Sequence, residues 1–200
     1  MQRYDYLKAI AGDAGDALVV AAGWAAREWH ALRPGDGHFR PRTLGLASSI
    51  ALGIALGLPH RKVIAIDGDG AFLMNLCGLP TIAWQNPPNL IHLLFDNQCY
   101  EASGATGTAT SAVADAVALA RGAGYKHACW VETVEEFRKE FLSAWKRNEL
   151  GFIAVRVDQG QPAGLPPIRM DEVENKYRFI RYLEETEKRA ILRSADHRKA

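Results

Sequence analysis

Short apolar runs alternate with longer amphipathic stretches along most of this chain, and this alternation restricts the possible folds more than any other feature. The apolar runs, rich in β-branched residues, span 17–22, 62–67, 90–96, 127–133 and 152–158. Such runs are typical of strands buried on both faces of a sheet. The stretches between them predict helices over 24–32, 45–58, 71–86, 111–123 and 133–147. The predicted fold class is therefore α/β, a doubly wound, mainly parallel sheet with helices on both faces.

Composition excludes several classes of function. The chain has 200 residues, 48% of them hydrophobic, which is enough for one well-buried domain. Its net charge of +1 is spread along the sequence, so we expect no nucleic-acid partner. The three cysteines lack the spacing of a zinc or iron–sulfur site and fit a reducing, cytoplasmic compartment. No signal peptide is expected, and the longest apolar run, 44–58, is too short to span a membrane.

A change in composition near residue 165 predicts the organisation of the chain. Residues 1–165 are expected to form the ligand-binding domain, and 166–200 a linker and helical arm that packs on this domain or on a partner. The arm is highly charged, with apolar residues at Val173, Tyr177, Ile180 and Leu183. Within the domain, Pro80 is expected to kink or split the helix predicted over 71–86.

Small residues recur every four positions in the helix predicted over 45–58. Gly45, Ser49, Gly53 and Gly57 would form a stripe without large side chains along one face of this helix. Two roles stay open for the stripe: ordinary packing of the helix on its own sheet, or a contact with another subunit.

The sequence predicts a ligand-binding site where two of the predicted strands end. The strand over 62–67 runs into Gly68-Asp69-Gly70, a turn in which glycines permit close backbone approach to a diphosphate at the start of a helix. An acidic side chain at such a turn would repel the phosphates unless a cation lay between them. The next strand ends at Asn97, and the carboxyl ends of parallel strands share one edge of the sheet. Asp69 and Asn97 are therefore predicted to bind Mg²⁺ through hard oxygen ligands.

These residues carry a family resemblance. Gly68-Asp69-Gly70, 26 further residues and Asn97 together resemble the metal and diphosphate signature of thiamine-diphosphate enzymes. The stretch from Gly45 to Gly104 is similar to the β subunit of sulfopyruvate decarboxylase and to the C-terminal domain of phosphonopyruvate decarboxylase, and GWAAREW at 23–29 resembles the early loop and helix of the same family. The resemblance covers about residues 1–185.

The resemblance implies a cofactor, thiamine diphosphate, and a set of residues that hold it with Mg²⁺. Asp69 and Asn97 would ligate the metal by side chain and Cys99 by its main-chain oxygen. Leu44 stands where the family has an apolar residue that bends the cofactor. The implied cofactor-binding residues are Leu44, Gly45, Gly68, Asp69, Gly70, Ala71, Asn97, Cys99 and Tyr100.

The resemblance also implies a partner. Activation of the cofactor requires a glutamate, which relatives carry on a separate pyrimidine-binding domain, and we expect no such domain within these 200 residues. The glutamate is therefore expected from an α subunit, in a heteromer such as α₂β₂ or larger, with no catalytic residue for cofactor activation in this chain.

The sequence offers three candidates for contact with the substrate and leaves their roles open. Arg40 and Arg42 stand where relatives have a glycine-containing turn, and they are either solvated loop charges or a clamp for an acidic substrate group. His38, in the same glycine-rich region, is a third candidate. The divergence here, and at 104–107, leaves the identity of the 2-oxo acid open.

Three functions are compatible with these observations. The leading one is decarboxylation of a small 2-oxo acid by a carbon–carbon lyase. The same cofactor chemistry would also permit a carboligase of the acyloin or acetolactate type. The third alternative is a subunit without catalytic function that serves as a scaffold for a partner.

Overall fold

A central parallel sheet organises the protein, whose computed structural model describes residues 1–192. Its six strands lie in the order β2-β1-β3-β4-β8-β7, and every neighbouring pair is parallel. A short antiparallel hairpin, β5–β6, follows β4. The strands are β1 (Leu18–Ala21), β2 (His38–Phe39), β3 (Val63–Gly68), β4 (Leu90–Asp96), β5 (Cys99–Tyr100), β6 (Thr106–Gly107), β7 (His127–Val131) and β8 (Gly151–Arg156).

Helices cover both faces of this sheet. They are α1 (Arg3–Ala11), α2 (Gly23–Leu32), α3 (Ala47–Gly57), α4 (Asp69–Met74), α5 (Gly78–Gln85), α6 (Ala116–Gly122), α7 (Val134–Arg147) and α8 (Glu172–Glu187). One face packs against α1, α2 and α7, and the other against α3, α4, α5, α6 and α8. Alternate residues of the central strands enter the two cores, since successive side chains of a strand point to opposite faces. The predicted doubly wound α/β fold is confirmed.

Most predicted elements are present, and two of the differences have local causes. The helix predicted over 71–86 is split at 75–77, and Pro80 lies in the first turn of α5, where a missing N–H removes no hydrogen bond within the helix. The helix predicted to begin at 111 begins instead at Ala116, because Asp115 caps it by accepting a hydrogen bond from Ala118 N at 2.8 Å. Helix α1, strand β2 and the β5–β6 hairpin were not predicted.

The C-terminal helix α8 covers the edge of the sheet. Phe179 and Leu183 are buried in the core, whereas Val173 and Tyr177, two residues of the face expected from the sequence, are exposed. The Asn175 side chain accepts a hydrogen bond from Arg40 N at 2.7 Å and donates one to His38 O at 3.1 Å. These contacts hold the two-residue strand β2 in place. The division into 1–165 and 166–200 stays a prediction, and residues 193–200 of the predicted arm lie outside the described part.

The stripe residues of α3 and the alanines beside them have different surroundings. Alanines 47, 51 and 55 are buried against the sheet, and Ser49 accepts a hydrogen bond from Asn75 Nδ2 at 2.8 Å. Gly53 and Gly57 are exposed, and an added Cβ at either would meet no atom within 4 Å. Helix-on-sheet packing therefore accounts for the alanines and leaves the two glycines unexplained. No helix among residues 1–192 is long and apolar enough to cross a membrane.

Candidate cofactor site

A cavity of about 180 Å³ lies at the carboxyl ends of β1, β3 and β4. Ligands of open parallel α/β sheets bind at this edge. The cavity brings together every predicted cofactor-binding residue except Gly45: Leu44, Gly68, Asp69, Gly70, Ala71, Asn97, Cys99 and Tyr100. Gly45 lies behind the wall with φ +83°, and a Cβ there would come within 3.2 Å of Ala71 O, so a glycine is needed for α3 to begin against α4.

Asp69 is the first residue of α4 and is 1% exposed. Thr108 Oγ1 donates a hydrogen bond to Asp69 Oδ2 at 2.5 Å, and Thr110 Oγ1 lies 3.3 Å from the same atom. Burial raises the pKa of Asp69, the bond from Thr108 opposes this shift, and the nearby charge of Asp96 adds to it. Both hydroxyls lie at Oδ2, which leaves the other carboxylate oxygen, Oδ1, for a cation.

Asn97 directly follows β4, and its amide is held at both ends. Its Nδ2 donates to Glu101 Oε2 at 3.0 Å, and its Oδ1 accepts from Cys99 N at 3.2 Å. Glu101 is itself fixed, because Gly160 N donates to its Oε1 at 2.6 Å. An amide oxygen has two lone pairs, so Oδ1 can accept the bond from Cys99 and still ligate a metal.

The charges that line the cavity indicate a cation. Asp67, Asp69 and Glu101 are acidic, whereas Arg3 is paired with the buried Glu28 through bonds of 2.8 and 2.9 Å. A diphosphate would be repelled by these carboxylates unless a divalent ion separated them. Helix α4 has only six residues, so its dipole is a weak substitute for the ion. The donor set of carboxylate and amide oxygens fits Mg²⁺.

Gly70 gives the cavity part of its shape. A Cβ at this position would lie 2.7 Å from Cδ1 of Tyr100, whose ring packs directly over the turn. The glycine therefore lets the Tyr100 ring, and with it the β5–β6 hairpin, approach the start of α4. On the opposite wall, Leu44 is partly exposed beside Gly23.

The structure places the three substrate candidates in different surroundings. Arg40 lines a second cavity that shares Gly23, Trp24 and Ala102 with the first. Arg42 is exposed and lines neither cavity. His38 lines another pocket, which Arg40 also lines. There Trp29 Nε1 donates to His38 Nδ1 at 3.2 Å, and His38 Nε2 contacts Arg33 O. These contacts occupy both ring nitrogens of His38. Burial lowers the pKa of His38 to about 4, although the contact with Arg33 O opposes the shift.

Two other residues, His92 and Trp29, belong to the core. His92 is fully buried in β4 and bonds Asp67 Oδ2 through Nε2 at 3.0 Å. Trp29 is also buried, while Trp24 lies at the boundary of the two cavities.

Thr108 and Thr110 are functional candidates that sequence reasoning missed. Both are buried, and Thr110 Oγ1 also donates to Asp96 Oδ1 at 2.8 Å. They lie 39 and 41 positions after Asp69, beyond a hairpin that was itself not predicted. Thr110 lies in a single 3₁₀ turn, Ala109–Ser111, that directly follows Thr108, so no simple sequence period pairs the two hydroxyls.

Replacing Thr108 by valine is expected to weaken Mg²⁺-dependent cofactor binding by about 10- to 100-fold, as is typical when a group that orients a metal ligand is lost. The reason is the loss of the bond that holds Asp69 Oδ2. Isothermal titration calorimetry would measure the effect. Thr108→Ser, which keeps the hydroxyl, should bind almost as the parent does, and Thr106→Val, at an exposed position of the same hairpin, serves as the control. Equal affinities for the parent and Thr108→Val would disprove the positioning role.

Comparison with known proteins identifies the domain. Residues 19–155 match the family model of the thiamine pyrophosphate enzyme, C-terminal TPP binding domain. The chain belongs to this family. It is 36% identical, over 90% of its length and 95% of the relative, to sulfopyruvate decarboxylase subunit beta of Methanothermobacter thermautotrophicus. It is 34% identical to phosphonopyruvate decarboxylase of Streptomyces hygroscopicus over 81% of this chain and 41% of that protein.

A solved structure agrees in fold. Benzoylformate decarboxylase from Polynucleobacter necessarius superposes with a TM-score of 0.67 at 20% identity, over 84% of this chain and about a third (34%) of that one. The family match and the two similar sequences confirm the resemblance inferred from the sequence. Both relatives are decarboxylases by name, which is the expected enzyme class.

Proposed function

We propose that this chain is the β-type subunit of a split thiamine-diphosphate-dependent 2-oxo acid decarboxylase. The observation that carries the proposal is the meeting of Asp69 and Asn97, from the ends of neighbouring strands, in one acidic cavity of a thiamine-pyrophosphate-binding domain. The bound cofactor would supply the electron sink that decarboxylation needs. The chain itself would hold Mg²⁺ and the diphosphate and shape one wall of the substrate site.

Each residue of the cavity has a part in this proposal. Asp69 Oδ1, Asn97 Oδ1 and the main-chain oxygen of Cys99 would ligate the metal, and Thr108 would keep Asp69 oriented. The diphosphate would lie along Gly68, Gly70 and Ala71, with Tyr100 above the turn. Leu44 would support the bend of the cofactor from the opposite wall, and Gly45 would place Leu44 relative to α4.

The partner subunit would bring the glutamate that activates the cofactor. The glutamate that this chain contributes to the cavity, Glu101, accepts hydrogen bonds from Asn97 and Gly160, which suits a role in fixing Asn97. The name of the relative with 95% coverage, subunit beta, supports a second subunit. The outer side of α3, α4 and α5 is the proposed contact surface, because it continues from the cavity wall at the exposed Met74 to the exposed Trp84 and Gly53.

Calorimetric titration of thiamine diphosphate tests the proposal. Binding to this chain is expected to require Mg²⁺ and to tighten at least tenfold when the partner is added, since both subunits would then contact the cofactor. The mixture should release CO₂ from a small 2-oxo acid, and analysis of the organic product separates an aldehyde from a carboligation product. An absence of binding, with and without the partner, would favour a non-catalytic scaffold subunit instead.

A further inference from the structure

The second cavity, of about 430 Å³, contains two arginines that none of the roles above requires. Arg27 lies on α2, one turn after Gly23, and Arg40 follows β2. Gly23, Trp24 and Ala102 separate this cavity from the cofactor cavity and line both. A ligand next to the cofactor could therefore extend one end between the two arginines.

Both guanidinium groups are anchored by main-chain carbonyls of one segment. Arg27 Nη2 donates to Leu165 O at 2.5 Å and its Nε to Pro166 O at 3.3 Å. Arg40 Nη2 donates to Met170 O. The Arg27 guanidinium also lies over the Trp24 ring, 6.0 Å from its centroid. These contacts orient the two side chains and use only some of their donors, since a guanidinium has five N–H groups.

The anchoring carbonyls do not neutralise the charge of the arginines. Within residues 1–192, no carboxylate lies within 4.0 Å of Arg27, and the carboxylate nearest to Arg40, that of Glu172, is at 3.9 Å. Arg3 and Arg138, which line other cavities, differ in this respect, because they have close carboxylate partners at 2.8 and 2.7 Å. Two oriented guanidinium groups without close counter-ions suit a tetrahedral or planar oxyanion.

We propose that Arg27 and Arg40 form a subsite for an anionic tail of the substrate, a sulfonate, phosphonate or carboxylate at the end remote from the 2-oxo acid group. The inference rests on the proposed decarboxylase function and adds the residues that select its substrate. It replaces the expected pair of Arg40 and Arg42 by Arg40 and Arg27, because Arg42 lines neither cavity.

Binding of sulfoacetate tests the subsite independently of turnover. This probe carries a sulfonate and a carboxylate but no 2-oxo group, and its affinity for the full chain can be measured by titration in the presence of Mg²⁺ and thiamine diphosphate. Arg27→Gln and Arg40→Gln are each expected to weaken binding by about 10-fold or more, the usual effect of losing a charged hydrogen bond. Unchanged affinity in Arg27→Gln would overturn the subsite.

Arg33→Gln is the matched control. Arg33 also lies at α2, and its guanidinium donates to the carbonyls of Ala11 and Gly15, but it lines neither cavity. The Arg33→Gln variant therefore measures the structural effect of losing an arginine bound to carbonyls. The affinity of this variant for sulfoacetate should equal that of the parent. A loss in Arg33→Gln as large as that in Arg27→Gln would show that the effect is structural and would overturn the proposal.

Two further measurements show whether Arg27 binds the substrate tail or the cofactor. In the complex with the partner subunit, Arg27→Gln should lower the ratio of kcat/KM for sulfopyruvate to kcat/KM for pyruvate by about 10- to 100-fold. If Arg27→Gln instead weakens thiamine diphosphate and leaves this ratio unchanged, Arg27 serves the cofactor and the proposal is wrong. If the complex decarboxylates no 2-oxo acid but binds sulfoacetate through Arg27, the proposed reaction fails and the anion subsite stands.

Discussion

Asp69→Ala is expected to abolish Mg²⁺-dependent binding of thiamine diphosphate while the protein remains folded. The substitution removes the carboxylate that would ligate the metal, and without the metal the diphosphate meets the acidic groups Asp67 and Glu101. We expect a loss of at least 100-fold, because a directly coordinating anionic ligand contributes more than the orienting groups around it. Calorimetry with and without Mg²⁺ would measure it.

The free energy of unfolding of Asp69→Ala should differ little from that of the parent, and the direction of the Asp69 pKa shift explains why. Burial raises the pKa of Asp69, so the folded state disfavours the charged carboxylate relative to the unfolded chain. A carboxyl with a raised pKa lowers stability as pH rises above its unfolded pKa, and at neutral pH its removal relieves that cost. The lost bond from Thr108 opposes this gain.

Asp16→Ala, at a side chain that is 82% exposed, is the control for the loss of one negative charge. Asp69→Asn keeps the shape of the side chain and removes only the charge, so it should bind the cofactor nearly as poorly as Asp69→Ala. If Asp69→Ala bound cofactor and metal with the parent's affinity, the metal assignment would be wrong.

Glu28→Ala is expected to lower the free energy of unfolding by about 3–5 kcal/mol, the usual cost of leaving a buried charge without its partner. Arg3 and Glu28 form a two-pronged ion pair with side-chain exposures of 8% and 0%. Alanine at position 28 would leave the Arg3 guanidinium in the cavity wall without a carboxylate. Urea or thermal unfolding would measure the loss.

Two comparisons make this result specific to the buried pair. Asp13→Ala breaks the more exposed pair with Arg138 and should cause a much smaller loss. The double variant Arg3→Met with Glu28→Leu removes both charges, and it should be more stable than Glu28→Ala alone because no unpaired charge remains. Equal losses for Glu28→Ala and Asp13→Ala would contradict the prediction.

The strands of the sheet and the meeting of Asp69 and Asn97 in one cavity were predictable because their signals are local. A strand buried on both faces requires a run of apolar residues, and the runs that became β3 and β4 are mostly apolar. The parallel pairing of these strands then places whatever follows each of them at one edge. Asp69 and Asn97 could therefore be brought together from sequence alone.

The edge strand and the hairpin could not be predicted in the same way. Strand β2 has two residues and is held by Asn175, which lies 137 positions after His38. The β5–β6 hairpin contains only two residues in each strand, too few to show an alternating pattern. In both cases the local sequence has little preference, and contacts with distant residues select the conformation.

The sequence by itself determined that the chain folds as a parallel α/β domain and that two strand ends bring Asp69 and Asn97, the proposed metal ligands, to one edge of the sheet. Only the tertiary structure decided which hydroxyls hold Asp69, and which arginine lies with Arg40 beside the cofactor cavity. Strand formation and register depend on apolar patterns that can be read along a few residues. The surroundings of a side chain depend on segments such as 106–110 and 165–170, whose positions are set by packing across the whole domain.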